Sequence, residues 1–165
     1  MKRILGLWLL AALAAGPALA LNATPFQLGF AGDSAQIFPP ETKVMGLRLN
    51  LAFSENKDVM GLDGGLFSLS DRLTGLQLNL ANWVEAEFVG VSAGLFSTMG
   101  SATGLQAAMF NTVEHDLAGF QVGVFNLVDD ATGLQIGLIN RAVSLRGVQI
   151  GLVNIVEEGP LKFFP

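Results

Sequence analysis

The sequence predicts an all-β protein whose tandem repeats of 14–15 residues stack as a parallel β-solenoid. Three observations point there. A glycine recurs at Gly46, Gly61, Gly75, Gly90, Gly104, Gly119, Gly133 and Gly147, at intervals of 15, 14, 15, 14, 15, 14 and 14 residues. Each glycine opens a unit of one pattern: GLRLNLAF, GLDGGLFS, GLQLNLAN, GVSAGLFS, GLQAAMFN, GFQVGVFN, GLQIGLIN and GVQIGLVN. Within a unit, apolar residues alternate with polar or small ones, which is the period of a strand and not of a helix. Near-constant spacing over eight units defines an array in which each unit buries a face only against its neighbours.

Composition narrows the class. The chain has 165 residues, enough for one domain, and is 51% apolar and 14% charged. It is too apolar for disorder, and its 20 Gly and 6 Pro have no collagen period. With no Cys there is no disulfide, thiolate metal site or cysteine nucleophile, and one His argues against a histidine metal centre. No cofactor is expected.

Residues 1–20 read as a secretory signal peptide. Lys2 and Arg3 precede an apolar run from Ile4 to Ala15. Gly16-Pro17 breaks it, and Ala18-Leu19-Ala20 supplies small residues for cleavage. The run is shorter than the about 20 apolar residues that span a bilayer. Cleavage moves the net charge from −5 to −7, because it removes Lys2 and Arg3 but no acid. A negative chain is a poor partner for phosphate backbones, so nucleic acid is not expected. An exported chain without cysteines suits a bacterial cell surface, outer membrane or periplasm.

Residues 21–43 precede the array. Phe26, Leu28 and Phe30 alternate there, as one or two strands capping the first unit would, and Pro39-Pro40 stops the segment. Residues 44–158 hold the eight units. Residues 159–165 form an apolar tail in which Pro160 blocks strand addition.

Counting from each glycine, positions one, three and five are mostly aliphatic, for example Leu134, Ile136 and Leu138. These are expected to point inward. Gln77, Gln106, Gln121, Gln135 and Gln149 alternate with them at position two. Position seven carries Asn82, Asn111, Asn126, Asn140 and Asn154. In stacked parallel coils about 4.8 Å apart, such amides can form a ladder, each donating to the next carbonyl. Asn also caps turns, which is the plainer role. Polar segments such as SENKDV and VEHDL supply the turns.

An eight-stranded antiparallel barrel or meander is the alternative, since strands of about 9–11 residues span an outer membrane. The likeness of units one and three, and of two and four, suits hairpins. Acids recurring in the turns (Asp71, Glu85, Glu114, Asp129, Glu157) would repel in a parallel stack. Against the barrel stand uniform turns, no Tyr, and Trp83 as the one Trp after the leader, where membrane barrels wear aromatic girdles.

The chemistry is sparse. Gly90-Val91-Ser92-Ala93-Gly94 matches the G-x-S-x-G nucleophile pattern, but that motif needs a strand, a sharp turn and a helix, and Ser92 falls in mid-strand. His115 lies between Glu114 and Asp116 in a turn, an ordinary place for a solvated histidine. The acidic turns offer oxygen ligands for Ca²⁺, but their spacing is not fixed, which suits a solvated edge better. No catalytic residue and no metal site is assigned. Position six is apolar and supplies a candidate interaction stripe of Phe67, Phe96, Phe110, Phe125, Ile139 and Val153. An outward stripe marks a partner or membrane site; core is the preferred placement for this column.

The units GLQIGLIN and GVQIGLVN, the run VMGLRLNLAF and the closing GPLKFFP resemble a family of bacterial surface proteins with tandem GLQxGLxN repeats. The resemblance covers roughly residues 25–165. It implies association with the surface or outer membrane, and no catalytic residues. Ser68 and Ser97 replace the Asn in units two and four, which interrupts a ladder in the first half. The chain stops soon after Phe164, where the family pattern implies a further strand.

The expectation is therefore a non-enzymatic, exported repeat protein of the bacterial envelope with a structural or adhesive role. A small outer-membrane barrel acting as pore or scaffold is the alternative. The partner would be a protein or envelope component; membrane association and oligomeric state stay open.

Overall fold

The computed structural model describes residues 22–32, 35–159 and 163–164. The leader at residues 1–20 and Pro160 of the tail lie outside these. Six strands form one sheet in chain order: β1 (Ala23–Ala31), β2 (Lys43–Val122), β3 (Phe125–Ile136), β4 (Ile139–Ile150), β5 (Val153–Val156) and β6 (Phe163–Phe164). β2 is 80 residues of continuous extended chain that winds through several coils. Every pairing from β1 to β5 is parallel.

The register follows the repeat. Gly119 pairs with Gly133, and Gly133 with Gly147; Asn126 pairs with Asn140, and Asn140 with Asn154. Each unit is thus one coil of a parallel β-solenoid. The barrel alternative is overturned, because neighbouring barrel strands run antiparallel. The chain bends at Gly123-Val124, Gly137-Leu138 and Gly151-Leu152, positions four and five of their units. Coil-to-coil hydrogen bonds continue through these corners, as from Leu138 N to Val124 O at 3.0 Å and from Val153 N to Leu138 O at 2.9 Å.

The glycine column explains the repeat's most regular feature. From Gly46 to Gly133 these glycines adopt φ of +125° to +153°, a region that side chains with a Cβ avoid. From Gly61 to Gly147 an added Cβ would lie 1.8–2.1 Å from the carbonyl oxygen of the preceding glycine. Both the backbone conformation and the close stacking therefore exclude every other residue.

β1 is a degenerate repeat. Phe26 pairs with Leu47, Gln27 with Arg48, Leu28 with Leu49 and Gly29 with Asn50. Pro25-Phe26-Gln27-Leu28-Gly29 thus matches G-L-Q-x-G with Pro in the glycine's place. At the other end β6 lies antiparallel on β5.

The core is the main correction. Positions one, three and five were expected inside, yet they face outward: Leu78 is 50% exposed, Ile150 54% and Leu152 71%. The interior instead takes positions two and seven, whose Gln121, Gln135, Asn126 and Asn140 are fully buried. Two further apolar columns complete it. One lies two residues before each glycine (Val44, Val59, Leu73, Phe88, Ala102, Leu117, Ala131), the other at position nine (Val84, Met99, Val113, Val128, Ala142). Alternation separates two faces but does not say which is enclosed. Here two conditions decide. The interior amides satisfy one another along the stack, which removes most of their burial cost. The apolar residues before each glycine share the amide side of the strand, so turning the Leu and Ile inward would expose them.

Candidate functional site

Two amide ladders run through the coils. Asn111 Nδ2 donates to Asn126 Oδ1 at 2.8 Å, Asn126 to Asn140 at 2.7 Å, and Asn140 to Asn154 at 2.8 Å. The same Nδ2 groups reach backbone carbonyls of the next coil: Val122 O at 3.0 Å, Ile136 O at 2.9 Å and Ile150 O at 3.1 Å. A carbonyl only accepts, so these contacts fix which end of each amide points forward. The glutamine ladder runs the other way: Gln121 Nε2 donates back to Gln106 at 2.8 Å, Gln135 to Gln121 at 2.7 Å, and Gln149 to Gln135 at 2.7 Å. The sequence shows this second column, but read as an outward face it suggested no ladder.

Asn82 was expected in the asparagine ladder. It donates instead to Ser92 Oγ and Ala93 O, both at 3.1 Å, because Ser97 occupies position seven of the next coil.

In the first coils a charged pair replaces the amides. Arg48 and Asp63 occupy position two, and Arg48 Nε donates to Asp63 Oδ1 at 2.7 Å with both side chains fully buried. Arg48 also donates to Leu69 O at 3.0 Å and to Ser68 Oγ. Asp63 Oδ1 accepts from Asn50 at 2.7 Å; its Oδ2 accepts from Ser68 at 2.6 Å, Asn79 at 2.9 Å and Gln77 at 3.2 Å. Burial pushes the Asp63 carboxyl up. The charge and hydrogen bonds of Arg48, aided by Ser68 and Asn50, outweigh burial and hold it below the usual carboxylate range.

Inside, then, stands a rigid, hydrogen-bonded frame; outside, it displays an apolar face. Positions one, three and five are apolar or glycine in all eight units, without a polar or charged residue. Phe26 and Leu28 of β1 extend two of these columns by one row. The face is therefore continuous from the first strand to the last coil.

The position-six stripe lies beyond the corner and also faces outward, which corrects the preference for core. Phe67 and Phe96 are exposed, Phe110 is 38% exposed, and Phe125, Ile139 and Val153 are half-buried. Its aromatics stack in parallel: ring centroids lie 5.2 Å apart for Phe96–Phe110 and 5.0 Å for Phe110–Phe125, with the planes within 7° and 3°. Coil spacing sets that distance.

The remaining candidates are placed as follows. Ser92 is fully buried, in mid-strand, with its Oγ accepting from Asn82 and lying 3.4 Å from Ser97 Oγ. A substrate cannot reach it there. His115 is exposed between Glu114 and Asp116. The acids expected in turns lie on strands, Asp71, Glu85 and Glu114 in β2 and Asp129 in β3, with only Glu157 in a turn; all five are exposed, and Arg141 Nε pairs with Glu157 at 2.8 Å. Among the described residues, no three acids or histidines are grouped to hold a metal ion.

The fold and this face define a parallel β-solenoid with an amide-laddered interior and one apolar outer face. No protein-family model, curated protein or solved structure matches the chain.

Proposed function

We propose that the chain is an exported, non-enzymatic structural or adhesive element of a bacterial envelope, acting through its apolar outer face. That face carries the proposal. Monomeric soluble proteins rarely expose an apolar patch beyond a few hundred Å², and larger ones mark interaction surfaces. Here the pattern is kept in every unit, although Gln or Asn at those positions would preserve the strand. The leader-like residues 1–20 and the resemblance to surface repeat proteins support the location. The stacked glycines and amide ladders support a scaffold role, since they hold the backbone in one conformation.

Cell fractionation with mass determination of the mature N-terminus tests this. The expected result is a chain cleaved after Ala20, retained with the envelope through a high-salt wash. High salt removes proteins held by charge and strengthens apolar contacts. An uncleaved chain in the cytosol overturns the proposal.

A further inference from the structure

We propose that the unit opening at Gly90 is an internal water-binding site, in which two buried water molecules join the broken ends of both amide ladders. This unit carries Ser92 at position two and Ser97 at position seven. The units on either side carry amides at both places, Gln77 with Asn82 and Gln106 with Asn111. All six side chains are buried.

The ladders run in opposite senses, and that decides what each break leaves. A ladder glutamine donates to the coil before it, so the donor for Gln77 Oε1 belongs at position two of the Gly90 unit. Ser92 is too short to supply it, and Gln77 Oε1 is buried without a partner. A ladder asparagine donates to the coil after it, so the donor for Asn111 Oδ1 belongs at position seven of the same unit. Ser97 is too short in turn, and Asn111 Oδ1 is buried without a partner. Two acceptors thus face one unit from its two sides. Buried oxygens of this kind are met by ordered water where the site is polar and has room.

The site is polar. Asn82 Nδ2 donates to Ser92 Oγ at 3.1 Å and Gln106 Nε2 to Ser97 Oγ at 3.3 Å, and the two serine oxygens lie 3.4 Å apart. One hydroxyl can donate to the other, which leaves a proton for a water. A metal cation does not suit the site, because two amide N–H groups already point at the serine oxygens. Water both donates and accepts, so it can take a serine proton and pass its own to Gln77 or Asn111.

The site also has room. Ser has three heavy atoms fewer than Gln and two fewer than Asn, five in all; Met99, at position nine, returns one relative to Val84 and Val113. The space of four remains, enough for two water oxygens. One water cannot serve both acceptors. They stand two coils apart, about 10 Å, whereas two hydrogen bonds through a single water span about 5.5 Å.

A crystal structure of the purified chain, at a resolution that shows ordered water, tests the site. The expected result is one water within about 3 Å of Gln77 Oε1 and another as close to Asn111 Oδ1. Two variants sort them. Ser92→Gln gives Gln77 its donor and should remove the first water alone; Ser97→Asn gives Asn111 its donor and should remove the second alone. Should neither variant fold, the density of the native chain decides. Side chains closed over dry Gln77 and Asn111 oxygens, a water at only one of them, or an ion with oxygen contacts of about 2.4 Å overturns the proposal. The site depends on neither export nor the outer face, so its failure leaves the proposed role to its own test.

Discussion

Arg48 Nε and Asp63 Oδ1 meet at 2.7 Å where neither side chain reaches solvent. They stand in the column that glutamines fill further along, so a charge pair replaces one rung of an amide ladder. Removing one partner leaves the other charged and buried, which costs about 3–5 kcal/mol. Asp63→Asn is expected to lose that much by urea denaturation. Replacing both by Gln continues the ladder chemistry and should lie within about 2 kcal/mol of the native chain, since neutral replacement of a buried pair is often tolerated. Equal losses in the single and double variants would contradict this.

The same pair makes stability depend on acid. Asp63 has a folded-state pKa below its ordinary value of 3.8. Its contribution is therefore present above that ordinary value and is lost as pH falls through the depressed folded value. Urea midpoints taken from neutral pH downward should fall more steeply below about pH 4 for the native chain than for the double Gln variant. Parallel curves would assign acid sensitivity to the exposed carboxylates instead.

Gly104 has φ +125°, and an added Cβ would meet Gly90 O at 2.0 Å. Gly104→Ala therefore combines backbone strain with a backbone clash and should cost at least about 3 kcal/mol. Gly64 is the control: it lies at position three, where the nearest atom to a Cβ is Leu78 O at 3.6 Å. Gly64→Ala should change stability by less than about 1 kcal/mol. Thermal melts of the two variants check the contrast.

Asn126 accepts from Asn111 and donates to Asn140 and to Ile136 O. Asn126→Asp removes both donors and sets a carboxylate against two oxygens. It should cost more than Asn126→Ala at neutral pH, the latter losing about 2–3 kcal/mol. Protonation gives the acid one donor back, so the gap should narrow in acid. Chemical denaturation at both pH values measures it.

Ser70 is an exception in the other direction. It occupies position nine, among residues such as Val84 and Met99, and its buried Oγ has no hydrogen-bond partner. Ser70→Ala should raise stability by about 1 kcal/mol, because an unpaired buried hydroxyl is worse than none. A lower melting temperature would show that the hydroxyl is engaged.

The coil register was legible because glycine tolerates no substitute where an added Cβ would lie 1.8–2.1 Å from a carbonyl oxygen of the coil before it. The parallel pairing followed from the even spacing of the units, but the corners did not: SENKDV and VEHDL, expected as turns, are extended chain within β2, and the bends fall at Gly123-Val124, Gly137-Leu138 and Gly151-Leu152. What was not legible was the enclosed side. Leu134, Ile136 and Leu138 look like core on hydropathy, yet Gln135 between them is the buried residue. Hydropathy counts an isolated glutamine as costly, whereas a glutamine every 14 or 15 residues has its partner in the next coil. The signal was in the columns: Val113 and Leu117, at position nine and before the glycine, are apolar in nearly every unit and mark the inner side. β1 does not show as a repeat in the sequence because Pro25 replaces the glycine and Phe26 pairs with Leu47 at an offset of 21 residues, not 14 or 15.

Hydrogen exchange at the side-chain amides tests the inside-polar arrangement most directly. In ¹H–¹⁵N spectra after transfer to D₂O, the Nε2 hydrogens of Gln121 and Gln135 and the Nδ2 hydrogens of Asn126 and Asn140 should persist for hours, exchanging only as coils open. Their loss within the first spectrum, with the folded backbone still protected, would put these amides in water and the leucines inside.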